Sequence, residues 1–318
     1  MRILVTGGAG FIGSHLCERL VSQGHEVFCL DNLCTGSVEN LEHLQGAPNF
    51  RFILADVTEP LGLIVDAVFH LASPASPRDY GRLVVETMLA NSLGTYQTLE
   101  VARKSGARYL LASTSEVYGD PLRVPQDEGY YGNVNPVGPR SCYDESKRFA
   151  EALTASYRRI HGLHTVILRI FNTYGPRMRR EDGRVIPNFI QQALAGEPLT
   201  VYGDGAQTRS FCYIDDMVEG LCRALASEEA AGEVINLGSD EEMTVLELAE
   251  KIRECLASPS PTTFLPLPED DPQRRRPDLA KARRILGWEP VTDLGEGLRR
   301  TAEWFRKELA KEVEKSGG

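Results

Sequence analysis

Two stretches of this chain carry residue types whose spacing suits chemistry on a bound dinucleotide. The first is Thr6-Gly7-Gly8-Ala9-Gly10-Phe11-Ile12-Gly13. Glycines 8, 10 and 13 follow a GxGxxG spacing, and glycines 7, 10 and 13 a GxxGxxG one. Missing side chains let the backbone approach a pyrophosphate, whose charge then rests on a helix N-terminus. Asp31 closes the next apolar run, with Asn32 beside it. A carboxylate there accepts both hydroxyls of an adenosine ribose and repels a 2′-phosphate, which favours NAD over NADP. Asp56-Val57 follows the third run, where an acid meets an adenine amino group or is simply a solvated strand end. The second stretch is Ala112-Ser113-Thr114-Ser115-Glu116-Val117-Tyr118, with Tyr143-Asp144-Glu145-Ser146-Lys147 downstream. Tyr143 and Lys147 are four apart and share one helix face. A phenol is a poor base at neutral pH, but a nearby ammonium and a nicotinamide cation lower its pKa. Tyr143 then suits removal of a proton from a sugar hydroxyl. By itself this spacing equally describes an ordinary surface pair.

These groups need a scaffold that gathers strand ends. Arg2–Thr6, Glu26–Asp31, Phe50–Val57, Ala67–Ser73, Arg108–Ser115 and Thr165–Asn172 read as strands, apolar on both faces. Phe11–Gln23, Leu83–Ser105 and Tyr143–His161 read as helices between them. The alternation predicts an α/β fold, a doubly wound parallel sheet of Rossmann type with a smaller mixed C-terminal domain. Ligands of such sheets sit outside the carboxyl ends of strands, which puts Thr114, Ser115 and Glu116 beside the nicotinamide end. Asn91 lies inside the long helix, either in that site or as a polar surface position. Pro and Gly punctuate Pro121–Pro139, predicting a structured loop. The expected division is 1–174 for the dinucleotide, with a return segment near 205–240, and 175–318 mainly for a substrate.

Of 318 residues, 42% are hydrophobic, and the net charge is −10. That surface repels nucleic acid and anionic membrane. No apolar run is long enough to span a bilayer, and the start of the chain lacks a signal-peptide pattern, so a cytoplasmic protein is expected. Seven scattered cysteines form no CxxC pair and read as reduced, packed thiols. His161 and His164 lack a third ligand, Cys142 lacks an adjacent His, and no metal site is expected.

Taken together, these residues resemble the extended short-chain dehydrogenase/reductase superfamily of nucleotide-sugar epimerases, dehydratases and decarboxylases, over Met1 to about Arg306. The segments His70–Pro77, Ser113–Pro121, Gly132–Pro136, Gly138–Glu145, Arg169–Met178, Asp182–Val185, Pro198–Gly205, Gln207–Phe211, Asp271-Pro272-Gln273 and Arg274–Asp278 are most similar to the UDP-glucuronate decarboxylases. The resemblance implies bound NAD, held by Gly7, Gly10, Phe11, Ile12, Gly13, Asp31, Asn32, Asp56, Val57, Leu71, Ala72, Asn91, Tyr143 and Lys147. It implies Thr114, Ser115, Tyr143 and Lys147 as catalytic residues, with Glu116 managing protons at C5. It further implies a UDP-sugar diphosphate at Asn172 and Arg177. Asn188, Thr200, Tyr202 and Arg209 would hold uridine and phosphates, and Arg275, or Arg276 in another register, the sugar diphosphate. UDP-glucuronate would pass through a 4-keto acid, lose carbon dioxide, and regain its hydride as UDP-xylose. Ser115-Glu116 replaces the Asp-Glu pair of the dehydratases. A 4-epimerase, a decarboxylase that releases the 4-keto pentose and a silent NAD-binding protein remain alternatives. Tyr131 and Ser146 stand where Trp and Gly are expected. Relatives pair the two long helices into a four-helix bundle, so a homodimer is expected.

Overall fold

Ile3, Leu4 and Val5 are fully buried, yet they face two different apolar clusters. Ile3 and Val5 join Val27, Cys29, Phe69 and Leu110 on one side of a sheet, while Leu4 joins Leu30, Val68, Tyr109 and Leu111 on the other. Strands apolar on both faces become stable only between two helical layers. The computed structural model describes residues 1–267 and 273–316, so Asp271 and Pro272 lie outside the described residues. In chain order it contains β1 (Arg2–Thr6), α1 (Phe11–Ser22), β2 (Glu26–Asp31), β3 (Phe50–Leu54), β4 (Ala67–His70), α2 (Pro77–Arg82), α3 (Val84–Leu89), α4 (Thr95–Ser105), β5 (Arg108–Thr114), α5 (Ser141–His161) and β6 (Thr165–Ile170). There follow β7 (Thr173–Tyr174), α6 (Val185–Ala195), β8 (Leu199–Tyr202), β9 (Thr208–Ser210), β10 (Cys212–Tyr213), α7 (Ile214–Ala226), β11 (Val234–Leu237), β12 (Glu242–Thr244), α8 (Val245–Leu256), β13 (Thr262–Leu265), β14 (Arg274–Arg275), α9 (Ala280–Leu286) and α10 (Leu294–Ser316).

Seven parallel strands form one sheet in the order β11-β6-β5-β4-β1-β2-β3. This is the doubly wound sheet that the alternation predicts. Three small sheets, β10-β7, β12-β9-β14 and β13-β8, stand apart from it. They bring Thr200, Tyr202, Arg209 and Arg275 toward the carboxyl ends of the main strands. Among the described residues, no helix is long and apolar enough to cross a membrane.

The long helix expected over Leu83–Ser105 is interrupted. Between α3 and α4, Ala90–Gly94 forms a π-turn. A Cβ on Gly94 would stand 2.7 Å from Val57 Cγ1, so a glycine permits that close approach. The Thr95 and Thr98 hydroxyls donate to the carbonyls of Asn91 and Gly94, at 2.7 and 2.8 Å. Hydroxyls inserted into the helix ladder are a common cause of such irregularity. Asn91 is consequently turned inward, and only 1% of it is exposed.

The Pro121–Pro139 loop is ordered by two fastenings. Gly119 bridges to Asn133, and Gln126 bridges to Pro277. Gln126 is completely buried and reads the second segment closely. Its N–H donates to Arg276 O, its side-chain oxygen accepts from Arg276 N–H at 2.8 Å, and its carbonyl accepts from Asp278 N–H. The loop thereby sets the register of the arginine run.

Candidate active site

A cavity of about 590 Å³ opens along the carboxyl ends of the main strands. At one end lies the glycine turn. A Cβ on Gly13 would come within 2.1 Å of Gly7 O, and Gly7 itself has φ +70. Only glycine fits both places. Gly10 caps α1 without a side chain, leaving the first-turn amides to an anion from outside. Asp31 accepts from the N–H groups of Ala9 and Leu33, at 2.9 and 2.8 Å, and burial pushes its carboxyl above the ordinary range. Asn32 donates to Asp56 at 2.8 Å. Burial opposes ionisation of Asp56, but bonds from Thr58 and Asn32 hold its pKa below normal. Gly7, Gly10, Phe11, Ile12, Gly13, Asp31, Asn32, Asp56, Val57, Leu71 and Ala72 all line this end. The glycine cradle and its uncapped helix fit a dinucleotide pyrophosphate.

Asn91 lies deeper than these residues. It stands behind the cavity wall, where its amide donates to Ser146 Oγ at 3.0 Å. The π-turn that turned it inward removed it from the surface position considered for it. Ser146, the departure from Gly, is thus used.

At the centre of the cavity, β5 ends at Thr114, whose hydroxyl caps the short turn Ser115–Tyr118 by accepting from Glu116 N–H. Tyr143 stands one turn into α5. Its ring stacks on Tyr80, with centroids 5.1 Å apart. Burial pushes the phenol up to about 12, against the pull of the Thr114 hydroxyl and the Arg184 guanidinium. Lys147 donates from Nζ to Ala112 O at 2.9 Å, and burial brings its ammonium down to about 8. In the protein alone the phenol thus lies above its ordinary value, because desolvation outweighs the groups that lower it. A cation delivered with the cofactor is needed to make the phenol a base. If the ammonium is the required form, kcat/KM will fall as pH rises through about 8, because Lys147 loses its proton there. Lys147→Arg, which stays charged, should abolish that limb in a pH–rate profile. An unchanged limb would assign it to another group.

Glu116 is held differently from its expected role. Its carboxylate accepts two bonds from Arg275, one of them at 2.8 Å, and one from Arg140 at 2.7 Å. Burial opposes the charge, yet the two guanidiniums hold the pKa down to about 2. A carboxylate so strongly ionised is a poor carrier of a proton to C5. Arg275, equally, does not stand free for a diphosphate. It lines the cavity, and Arg276 does not. Behind the pair, Asp144 is raised to about 7, by burial and then by the charge of Glu116.

At the other end, Asn172, Asn188, Thr200, Tyr202 and Arg209 line the wall. Gln192 holds Thr200 by two bonds of 2.9 and 3.0 Å, and Gln207 holds the Tyr202 carbonyl at 2.8 Å. Arg177 lines the cavity as well. In a left-handed backbone, φ +66, it turns toward α1 and donates to Glu18 at 2.5 Å. That places it against the dinucleotide end. Tyr80, Arg140 and Arg184 also line the cavity, and the sequence assigned them no role. Arg184 pairs with Asp182, one bond being 2.7 Å. Arg140 and Arg184 lie inside matching segments, which was their only signal, and Tyr80 had none. Among the described residues, no cluster of His, Cys, Asp and Glu suits a metal ion.

Residues 3–238 match the profile of the NAD dependent epimerase/dehydratase family. UDP-glucuronic acid decarboxylase 1 of Danio rerio is 53% identical over 308 residues, covering 97% of this chain and 73% of the relative. UDP-glucuronic acid decarboxylase 6 of Arabidopsis thaliana is 53% identical over 310 residues, covering 97% of this chain and 90% of that one. Among solved structures, UDP-glucuronic acid 4-epimerase from Bacillus cereus, in complex with UDP-glucuronic acid and NAD, superposes with a TM-score of 0.87. It is 30% identical, covering 97% of this chain and all of the other.

Proposed function

Because the chain belongs to the NAD dependent epimerase/dehydratase family, we propose that it converts UDP-glucuronate to UDP-xylose by decarboxylation, with bound NAD restored in each turnover. The observation that carries this reading is Glu116 clamped between Arg140 and Arg275 beside Tyr143, in a chain 53% identical to decarboxylases. NAD, when bound, supplies the acceptor for the C4 hydride and gives it back.

The protein's own groups do the rest. Tyr143, steadied by Thr114, takes the proton of the C4 hydroxyl. Lys147, anchored on Ala112, places a positive charge beneath it. Oxidation at C4 makes the sugar a β-keto acid, so the C5–C6 bond breaks with its electrons left on an enolate. Arg140 and Arg275 both donate to Glu116, which holds two guanidiniums at that wall. Fixed charge of this kind stabilises a developing enolate. Glu116 orders the two guanidiniums. Tyr143 returns its proton to the C4 oxygen when the hydride comes back, and the proton that C5 takes up in place of the carboxylate enters from solvent.

Residues 1–174 with the return segment hold the cofactor, and residues 175–318 mainly the UDP-sugar. Seven cysteines without a disulfide suit a reducing compartment such as the cytoplasm. A homodimer is part of the reading. Val85, Met88, Leu93 and Tyr96 on α3, the π-turn and α4 are at least two-fifths exposed, as are Phe149 and Ile160 on α5. Apolar groups gathered on two adjacent helices mark a buried interface. Light scattering should give the dimer mass, and Leu93→Asp with Phe149→Asp the monomer mass. A monomeric parent protein would refute this part.

Incubating the protein with UDP-[6-13C]glucuronate tests the reading. Labelled carbon dioxide with UDP-xylose is expected. UDP-galacturonate with retained label would identify an epimerase instead.

A further inference from the structure

A chain of buried hydrogen bonds joins the dinucleotide loop to the catalytic helix, and its polarity can be worked out. Thr6, His70 and Thr95 are each at most 1% exposed. Thr95 spends its single hydroxyl hydrogen on the Asn91 carbonyl, at 2.7 Å. Toward His70 Nε2, at 3.1 Å, its oxygen can therefore only accept. Nε2 must carry the ring proton. The ring is neutral, because burial and then the charge of Lys147 bring His70 down to about 3. Nδ1 is consequently a bare lone pair, and it accepts from the Thr6 hydroxyl at 2.9 Å. Thr6 in turn accepts from Ala72 N–H at 3.3 Å.

The far end continues in the same way. Asn91 donates from its side chain to Ser146 Oγ, whose one hydrogen goes to the Cys142 carbonyl at 2.5 Å, with the Tyr143 carbonyl 3.1 Å from the same oxygen. Ala72 lies against the glycine turn, since a Cβ on Gly7 would stand 2.8 Å from its nitrogen. One end of the chain thus fixes the cofactor wall, and the other fixes the residue that exchanges the C4 proton. His70 is the junction, an acceptor on one side and a donor on the other.

We propose that His70 is a positioning residue that keeps the cofactor wall at Leu71-Ala72 in register with Tyr143 through both hydride transfers. This rests on the function proposed above: a reaction that oxidises and then reduces the same carbon needs the cofactor held in one place for the whole cycle. Loss of the junction loosens that wall, so that reduced cofactor and 4-keto pentose escape before the second transfer.

The test compares His70→Phe, Thr6→Val and Thr95→Val with Thr6→Ser and Thr95→Ser. Two quantities are read on the NAD-loaded protein: the dissociation rate of NAD, and the ratio of UDP-4-keto-pentose to UDP-xylose. Each break is expected to raise both about tenfold, the scale of one lost buried hydrogen bond, with KM for UDP-glucuronate nearly unchanged. The serine variants, which keep the hydroxyls, should return both to the parent values. The valine variants change no volume, so they decide the matter if His70→Phe does not fold. Parent-like dissociation and product ratio in Thr6→Val and Thr95→Val would overturn the proposal. Should the parent make no UDP-xylose, the proposed function has failed, and NAD dissociation alone judges the junction.

Discussion

Replacing Tyr143 by Phe is expected to lower kcat by about 10²–10⁴, the range for a lost general acid–base group, while NAD stays bound. The ring would still stack on Tyr80, so the pocket keeps its shape. The hydroxyl is the only part removed, and it is the group that contacts Thr114. Its pKa of about 12 in the protein alone has a further consequence. The phenol reaches a useful value only when the positively charged cofactor is beside it. A protein stripped of NAD should show no ionisation of Tyr143 in an ultraviolet difference titration below about pH 10, the ordinary phenol value. A Tyr143→Phe protein that decarboxylates at the parent rate would remove Tyr143 from the chemistry.

The second large effect concerns the clamp. Glu116→Gln leaves Arg140 and Arg275 without the carboxylate that they share. Breaking a buried pair by removing one partner costs up to about 3–5 kcal/mol, so a lowered melting temperature is expected. Decarboxylation should slow by about 10²–10³, the usual cost of losing one preorganised electrostatic group. Arg275→Leu should do the same to activity. Because both changes dismantle one cluster, the double variant should be little worse than either, and not the product of the two. Were Glu116 the C5 proton donor, Arg275→Leu would raise its pKa from about 2 and improve it as an acid. Faster decarboxylation in Arg275→Leu would therefore restore that role to Glu116.

Strand ends were readable because the physics there is local. Asp31, Thr114 and the glycine turn each follow an apolar run, and a parallel sheet must place the ends of such runs together. Thr200, Tyr202 and Arg209 were found through likeness of segments, and the cavity does contain them. What stayed hidden depends on contacts far apart in sequence. The partner of Glu116 is Arg275, and the register of Arg275 is set by Gln126 on a third segment. No spacing rule connects those three positions. The surface alternative for Asn91 failed because helical periodicity assumes a regular helix, and the π-turn at Ala90–Gly94 shifts the face. Arg177 lines the cavity that its motif pointed to, but its left-handed backbone and its bond to Glu18 had no sequence signal. Lys147 and Tyr143 were correctly paired on one face, but the balance of burial against charge needed the surrounding structure.

The central claim is that the hydride taken from C4 returns to C4 of the same sugar after carbon dioxide has left. UDP-glucuronate deuterated at C4 tests it directly, with no NAD added and proton NMR of the product. UDP-xylose that keeps deuterium at C4 is the expected product. UDP-xylose with hydrogen at C4, or no loss of the carboxylate at all, would contradict it.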